Sequence, residues 1–167
     1  HTDAAQTIGK IRTKVDELGV DLLSIAGHKM YAPKGVGALY VRRGTSLESL
    51  LHGAGHEGGL RAGTENVPYI IGLGKASWMA NKALQETSVR LGTLRDQLLA
   101  ELRQGIPGLT VNGEAVSRLP NTLSINFPKV SGSQLLARIP ELCASTGAAC
   151  HSGSGQLSAT LEAIGLN

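Results

Sequence analysis

The chain has 167 residues, 41% of them hydrophobic and only 3% aromatic, so one ordinary domain or parts of two can pack a core built mainly from Leu, Ile, Val and Ala. The formal charge of +3 is mild and the basic residues are dispersed, which argues against a nucleic-acid-binding surface, and no apolar run is long enough to span a membrane. The two cysteines, Cys143 and Cys150, are too few for a disulfide framework, so a reducing, cytoplasmic setting is expected.

The first third of the sequence predicts two adjacent strands. Residues 1–3 have the character of a strand end, so we expect the chain to be a piece of a longer protein. A short helix is expected at 15–18. The mostly apolar run at 20–26 is typical of a buried strand, and 36–43 is typical of a second one. Because only the turn at 31–35 and a few neighbours join them, antiparallel pairing is favoured.

A glycine-rich loop and two helices are predicted next. Residues 44–66 form a long loop of the kind that is usually functional or disordered. Pro68 suits the first turn of a helix, which we expect to run to about Gln85. A second helix is expected from Ser88 to Gln104 because its leucines recur at helical spacing, at Leu91, Leu94, Leu98 and Leu102.

The last third has the pattern of a small α+β domain. Short strands are predicted at 109–111, 122–127 and 142–145. Helices are expected at 135–139, after a capping-box pattern, and at 158–164. We therefore expect residues 1–86 to belong to a large sheet-and-helix layer and residues 87–167 to form a small, incomplete C-terminal α+β domain.

Two segments carry residues suited to reactive chemistry. The opening supplies an acid and an amide, Asp3 and Gln6, and the apolar run that follows ends at His28-Lys29. A lysine can form an imine with an aldehyde cofactor, and an acid can hold the ring nitrogen protonated. Cys150 lies in a glycine-rich loop, where a thiol can reach a bound substrate. These residues favour chemistry on a pyridoxal phosphate imine, with a cysteine as the second reactive group.

Four sequence blocks identify a family. HTDAAQ, GHKMYAPKGVGALYVR, HGAGHEGGLRAGTENVP and GAACHSGSG occur in this order between positions 1 and 155. This set resembles the cysteine desulfurases and selenocysteine lyases, which are dimeric pyridoxal-phosphate enzymes. The resemblance implies an α/β fold: part of an aspartate-aminotransferase-type (fold type I) large domain, followed by the small α+β domain.

The resemblance assigns roles around the cofactor. Lys29 would be the Schiff-base lysine and would move protons. Asp3 would face the pyridine nitrogen and Gln6 the phenolic oxygen. His28 would contact the phosphate, and Thr64 would reach the phosphate of the neighbouring subunit. The plainer interpretations are an exposed lysine, a turn aspartate, an exposed glutamine, a structural histidine, and helix capping by Thr64 or Asn66.

Cys150 would be the nucleophile that takes sulfur or selenium from the substrate and releases alanine. His151 beside it would favour the thiolate or donate a proton. The plainer interpretation, a small buried apolar cysteine, fits Cys143 better because Cys143 stands in a predicted strand.

The chain departs from the family pattern at several points. Ala26 stands where many relatives carry a hydroxyl residue that touches the phosphate, and Leu157 stands where many carry a proline. The N-terminal part and the C-terminal arginine that grips the substrate carboxylate are absent from the sequence, so the isolated chain is expected to be inactive.

Two further patterns are rejected as sites. Residues 53–58 match G-x-G-x-x-G but lack the flanking strand and helix of a dinucleotide site. His52 and His56 have the spacing of helical metal ligands, but the glycines around them disfavour a helix, so no metal is expected.

The leading hypothesis is a cysteine desulfurase with pyridoxal 5'-phosphate as cofactor. Its expected partners are L-cysteine or L-selenocysteine, a second copy of the chain, and a sulfur-acceptor protein such as an iron–sulfur scaffold, with neither nucleic acid nor membrane. The alternatives are a selenocysteine lyase, a related class V aminotransferase, and an inactive fragment that acts as an association or sulfur-relay module.

Overall fold

The computed structural model describes residues 1–147 and 159–166. The chain divides into two compact units. The first comprises His1–Leu99 and Ala115–Thr122, and the second comprises Ala100–Glu114 and Leu123–Asn167. The division into 1–86 and 87–167 stays a prediction.

A three-stranded sheet organises the first unit. Its strands are β1 (Thr2–Asp3), β2 (Leu22–Ala26) and β3 (Gly37–Val41), in that spatial order. β1 runs parallel to β2, whereas β3 is antiparallel to β2, which confirms the pairing expected from the short connection. β2 is therefore the central strand, and its Leu23 is 2% exposed.

Arg42 fixes the entry of the chain into β2. Helix α1 (Val15–Leu18) ends at Gly19, whose φ of 65° is left-handed and suits glycine. The Arg42 guanidinium donates to the carbonyls of Val15 and Val20 and pairs with Asp16 at 2.8 Å. The hydrogen bond to Asp16 raises the pKa of Arg42. One side chain thus joins the end of β3 to the α1–β2 connection.

A single long helix follows the glycine-rich loop. Helix α2 runs from Val67 to Gly105, so the expectation of two helices separated near residues 86–87 was wrong. No proline interrupts residues 69–105, and Glu86 and Thr87 continue the helix without a turn signal. The glycines within it lower helix propensity without ending the helix.

The first unit contains a small cluster of buried residues. Met30, Ala32 and Ala76 are buried together, and Ile8, Ile25, Val36 and Leu73 pack against them. Ala76 belongs to α2, whereas Met30 and Ala32 follow β2. This cluster therefore holds the segment after β2 against the long helix.

The second unit contains a two-stranded antiparallel sheet, β4 (Thr110–Val111) and β5 (Ile125–Asn126). Asn112 and Asn126 exchange amide hydrogen bonds of 2.7 and 3.2 Å beside it. Helices α3 (Gly132–Ala137) and α4 (Ala159–Ala163) complete the described elements.

The strand predicted at 142–145 was wrong. The amides of Leu142 and Ala144 bond to nearby carbonyls, those of Ile139 and Leu142, rather than to a neighbouring strand. An apolar run becomes a strand only where a partner strand accepts its backbone hydrogen bonds.

Within 1–147 and 159–166, no helix combines the length and the apolar character needed to cross a bilayer.

Candidate active site

Asp3, His28 and Lys29 lie at the same edge of the sheet. Asp3 is the last residue of β1 and pairs with Ser24 of the parallel strand β2. β2 ends at Ala26, and His28 and Lys29 follow in a one-turn 3-10 helix, Gly27–Met30. Because the carboxyl ends of parallel strands face one edge, the fold brings the acid to the side where the imidazole and the amine emerge.

The turn that carries His28 and Lys29 is held at both ends. Gly27 and Met30 are buried, whereas His28 and Lys29 between them are exposed. The Gly27 amide donates to the Val36 carbonyl at 3.0 Å. A Cβ on Gly27 would stand 2.6 Å from that same oxygen, so only glycine allows this approach. The reactive pair is therefore displayed on a short, anchored turn.

The carboxylate of Asp3 is oriented by the backbone that follows it. Its Oδ1 accepts the Ala5 amide at 2.8 Å, an Asx-type turn that also carries the exposed Gln6 past the end of β1. His1 Nε2 lies 2.8 Å from Ser24 Oγ, which ties β1 to β2 by side chains as well.

Lys10 is a neighbour of this site that the sequence did not single out. Burial lowers the pKa of Lys10, and the positive charge of Lys29 lowers it further. No local pattern links residues 10 and 29, and only the fold brings their charges together. A second lysine beside Lys29 adds positive charge to this edge of the sheet, and that charge attracts anions.

The residues at this edge suit an anionic aldehyde cofactor. They offer an amine, an imidazole, a carboxylate and an amide, and no ion pair within the described part of the chain occupies Lys29 or Asp3. This donor set matches the amine, ring-nitrogen, phenolic-oxygen and phosphate contacts expected for pyridoxal phosphate. The expected cofactor therefore fits the groups that are present.

Thr64 lies in a second segment, the loop 51–66. The Ala62 amide donates to the Leu51 carbonyl at 3.2 Å, which closes the loop. Helix α2 is capped by Asn66, whose Oδ1 accepts the Tyr69 amide at 3.3 Å. The capping alternative therefore applies to Asn66, and the exposed Thr64 hydroxyl takes no part in that cap. The G-x-G-x-x-G stretch at 53–58 stands inside this loop rather than between a strand and an α-helix.

Cys150 and His151, with Leu157, lie outside the described residues. Cys143 is described, and it is an exposed free cysteine rather than the buried strand residue that was expected. The expectation failed together with the strand that would have buried it. The structure thus brings Asp3, His28 and Lys29 to one edge of the sheet. Gln6 lies just after β1, and Thr64 lies in the loop before α2.

Sequence comparisons reveal relatives over nearly the whole chain. The family model for aminotransferase class-V matches residues 1–164. Cysteine desulfurase IscS of Dictyoglomus turgidum is 48% identical over 166 residues, which are 98% of this chain and 42% of that protein. Cysteine desulfurase IscS of Shewanella baltica is 44% identical over 169 residues, 100% of this chain and again 42% of the relative. The chain therefore spans less than half the length of these relatives.

Several solved structures share the fold of this chain. A NifS-like protein superposes with a TM-score of 0.76 and 41% identity, over 83% of this chain and 38% of that one. A NifS-like protein from Rickettsia africae gives a TM-score of 0.81 and 30% identity, over 87% and 41% of the two chains. SspA in complex with cysteine gives 0.75 and 33%, over 100% and 46%. The α/β fold inferred from the sequence is the fold of these proteins.

Proposed function

Because the chain belongs to the class-V aminotransferase family, we propose that it supplies a large part of a pyridoxal-phosphate-dependent cysteine desulfurase. The reaction converts L-cysteine to L-alanine and leaves the sulfur on the enzyme as a persulfide. The observation that carries this proposal is the meeting of Asp3 with His28-Lys29 at one edge of the sheet. The chain spans 42% of the length of the relative from Dictyoglomus turgidum, so we propose the activity for the complete enzyme.

The cofactor would be held by groups at the carboxyl ends of β1 and β2 and by the loop before α2 of the second subunit. When bound, pyridoxal phosphate supplies an electron sink for chemistry at the α- and β-carbons of an amino acid. The residues proposed to hold it are Asp3, Gln6, His28, Lys29 and Thr64.

Lys29 would bind the cofactor covalently and move a proton to or from the α-carbon of the substrate. Its exposed Nζ is free of ion pairs among the described residues and stands on the anchored turn, so it can reach a carbonyl group and later accept or return a proton. Lys10, whose pKa is lowered by burial and by the charge of Lys29, adds a second amine near this turn.

Asp3, Gln6 and His28 would orient and hold the cofactor. The Asp3 carboxylate, oriented by the Ala5 amide, would accept a hydrogen bond from the protonated ring nitrogen and so keep the ring cationic. The Gln6 amide donates to an oxygen on the ring. His28 binds the phosphate from the turn that also carries Lys29, and it is the more important there because Ala26 offers no hydroxyl.

Cys150 takes the sulfur. Its thiolate forms a bond to the substrate sulfur as the carbon–sulfur bond breaks, the released carbon is protonated, and L-alanine leaves. We assign the proton donation to His151. A persulfide on a glycine-flanked segment can then pass its outer sulfur to an acceptor protein such as an iron–sulfur scaffold.

The proposal extends to the location, subunit assembly and substrate of the protein. We place the protein in the cytoplasm as a homodimer in which the loop before α2 approaches the cofactor of the second subunit. L-cysteine is preferred over L-selenocysteine as substrate, since one structural relative was solved in complex with cysteine.

The test is a product assay on the complete gene product. With pyridoxal phosphate and L-cysteine we expect equal amounts of alanine and of sulfur released by a thiol reductant. L-selenocysteine as competing substrate, and a keto acid as amino acceptor, separate this activity from a lyase of selenium and from an aminotransferase. Alanine without enzyme-bound sulfur contradicts the proposal.

The isolated 167-residue chain provides the remaining comparison. Cofactor binding and turnover by the complete gene product, with neither by the isolated chain, would fit a chain that works only within the longer enzyme. An inactive complete product that still exchanges sulfur with an acceptor would instead favour the relay alternative.

A further inference from the structure

Gly63 is held by two side chains of its own loop. Its amide donates to His56 Nδ1 at 3.3 Å, and its carbonyl accepts from Arg61 Nη1 at 2.9 Å. The φ of Gly63 is +112°, a conformation that side chains rarely adopt, so glycine is required there. Both backbone groups of one flexible residue are thereby restrained by residues that nothing else in the site uses.

The backbone of His56 is itself anchored, which fixes the point from which its ring reaches Gly63. Its amide donates to the Ala54 carbonyl at 2.9 Å, and it begins the 3-10 turn His56–Gly59. Its ring is partly buried, whereas the neighbouring Glu57 is exposed. Because Nδ1 accepts a hydrogen bond, the ring proton must be on Nε2.

Thr64 lies between two restrained residues of the loop, Gly63 directly before it and Asn66 two positions after it. On one side is Gly63, held by His56 and Arg61. On the other is Asn66, which caps α2 through the Tyr69 amide. Restraining the chain on both sides of Thr64 limits its backbone freedom in the unliganded protein. Such preorganisation lowers the entropic cost of binding a ligand.

We propose that His56, assisted by Arg61, is a positioning residue that sets the Thr64 hydroxyl for a phosphate group by fixing Gly63. This inference rests on the proposed role of Thr64 at the cofactor phosphate, and it adds a residue that does not itself touch the cofactor. It accounts for a histidine inside a loop whose other functional candidate is a threonine.

The variants follow from the geometry. His56→Ala removes the acceptor of the Gly63 amide. His56→Asn keeps an acceptor, since the Asn Oδ1 reaches nearly the same point as His Nδ1. His52→Ala is the matched control, an exposed histidine of the same loop. Thr64→Ala removes the proposed phosphate contact itself.

Two measurements on the complete gene product separate positioning from general stability. The first is hydrogen exchange of the Gly63 amide without cofactor. The second is the dissociation constant for pyridoxal phosphate, compared with that for pyridoxal, which lacks the phosphate. A loss of fold weakens both ligands, whereas a misplaced Thr64 weakens only the phosphorylated one.

We expect His56→Ala to speed Gly63 exchange about tenfold and to weaken pyridoxal phosphate about five- to tenfold, the range of one lost hydrogen bond, while pyridoxal binding stays unchanged. His56→Asn should restore both values, and His52→Ala should leave them at wild type. Combining His56→Ala with Thr64→Ala should be no worse than Thr64→Ala alone.

The inference is overturned if His56→Ala and His52→Ala behave alike, or if both ligands weaken equally. Failure of the proposed function looks different: the wild-type protein would then bind pyridoxal phosphate no better than pyridoxal, whatever the Gly63 amide does.

Discussion

Asp3 pairs directly with Ser24 across the parallel strands β1 and β2, and this register sets the geometry of the site. A shift by one residue would turn Asp3 to the opposite face of the sheet. In the observed register, β1 ends at Asp3 while β2 has only two more residues before the turn with His28 and Lys29. Asp3 and Lys29 are distant in sequence and are brought to one edge by a single backbone pairing.

Met30 anchors the turn that displays Lys29. It is 5% exposed and packs with Ala32 and Ala76, so Met30→Ala should lower the free energy of unfolding by about 2–5 kcal/mol through lost burial and a cavity. Met79→Ala is the control, because Met79 is 55% exposed on α2 and should change stability by no more than about 0.5 kcal/mol. Denaturant unfolding of both variants measures the difference, and equal losses would show that Met30 is not a core residue.

Gly72 allows α2 to approach the turn after β2. A Cβ there would stand 2.9 Å from Pro33 Cδ, and the proline ring cannot rotate away, so Gly72→Ala should destabilise by about 1–3 kcal/mol. At Gly74, in the same helix, no atom lies within 4 Å of the added carbon, and Gly74→Ala should stabilise by about 0.5–1 kcal/mol. The melting temperature should fall in Gly72→Ala and rise in Gly74→Ala. A gain for both would mean that the Pro33 contact is absent in solution.

The charge of Lys29 should lower the pKa of Lys10 measurably. Burial and the Lys29 charge lower the pKa of Lys10, so the folded chain holds less proton than the unfolded chain just below the ordinary lysine range, and stability rises as pH climbs through that window. Lys29→Ala removes a like charge and should raise the pKa of Lys10 and reduce that rise. Lys34→Ala, an exposed lysine in the next turn, should do neither. An NMR titration of Lys10 Nζ measures its pKa in each variant. An unchanged pKa of Lys10 in Lys29→Ala would show that the two charges do not interact.

The two cysteines should differ completely in function. Cys150→Ser should abolish sulfide release, with a fall of more than about 10³-fold expected for loss of a catalytic nucleophile, while cofactor binding persists. Cys143→Ser should leave turnover near wild type, although Cys143 is an exposed free thiol. Mass spectrometry after one turnover should find the extra sulfur on the peptide of Cys150. Extra sulfur on Cys143 would reverse the assignment.

The elements predicted well from sequence are those with local signals. β2 and β3 were expected at 20–26 and 36–43 and are observed at Leu22–Ala26 and Gly37–Val41. Apolar, β-capable runs separated by a proline–glycine turn leave few alternatives to an antiparallel pair. α1 was likewise marked by the glycine that follows it. α3 was expected at 135–139 after a capping box and is observed at Gly132–Ala137, where Ser131 makes no side-chain capping hydrogen bond.

What the sequence could not provide depends on distant partners. The run at 142–145 has strand character but pairs with no strand among residues 1–147 and 159–166. The continuity of α2 across residues 86–87 was, by contrast, open to prediction, because the sequence carries no stop signal there. The same holds in the site. Lys29 and Asp3 were found through motif blocks, whereas the nearness of Lys10 and the hold of His56 on Gly63 appear only when the chain is folded.

If Lys29 captures an aldehyde cofactor, reduction of the imine should fix the cofactor to that side chain permanently. The complete gene product, incubated with pyridoxal phosphate and reduced with borohydride, should carry the cofactor on the peptide containing Lys29, while Lys29→Ala stays colourless and Lys34→Ala traps normally. A protein that remains colourless, or an adduct found on Lys10 in place of Lys29, would contradict the account.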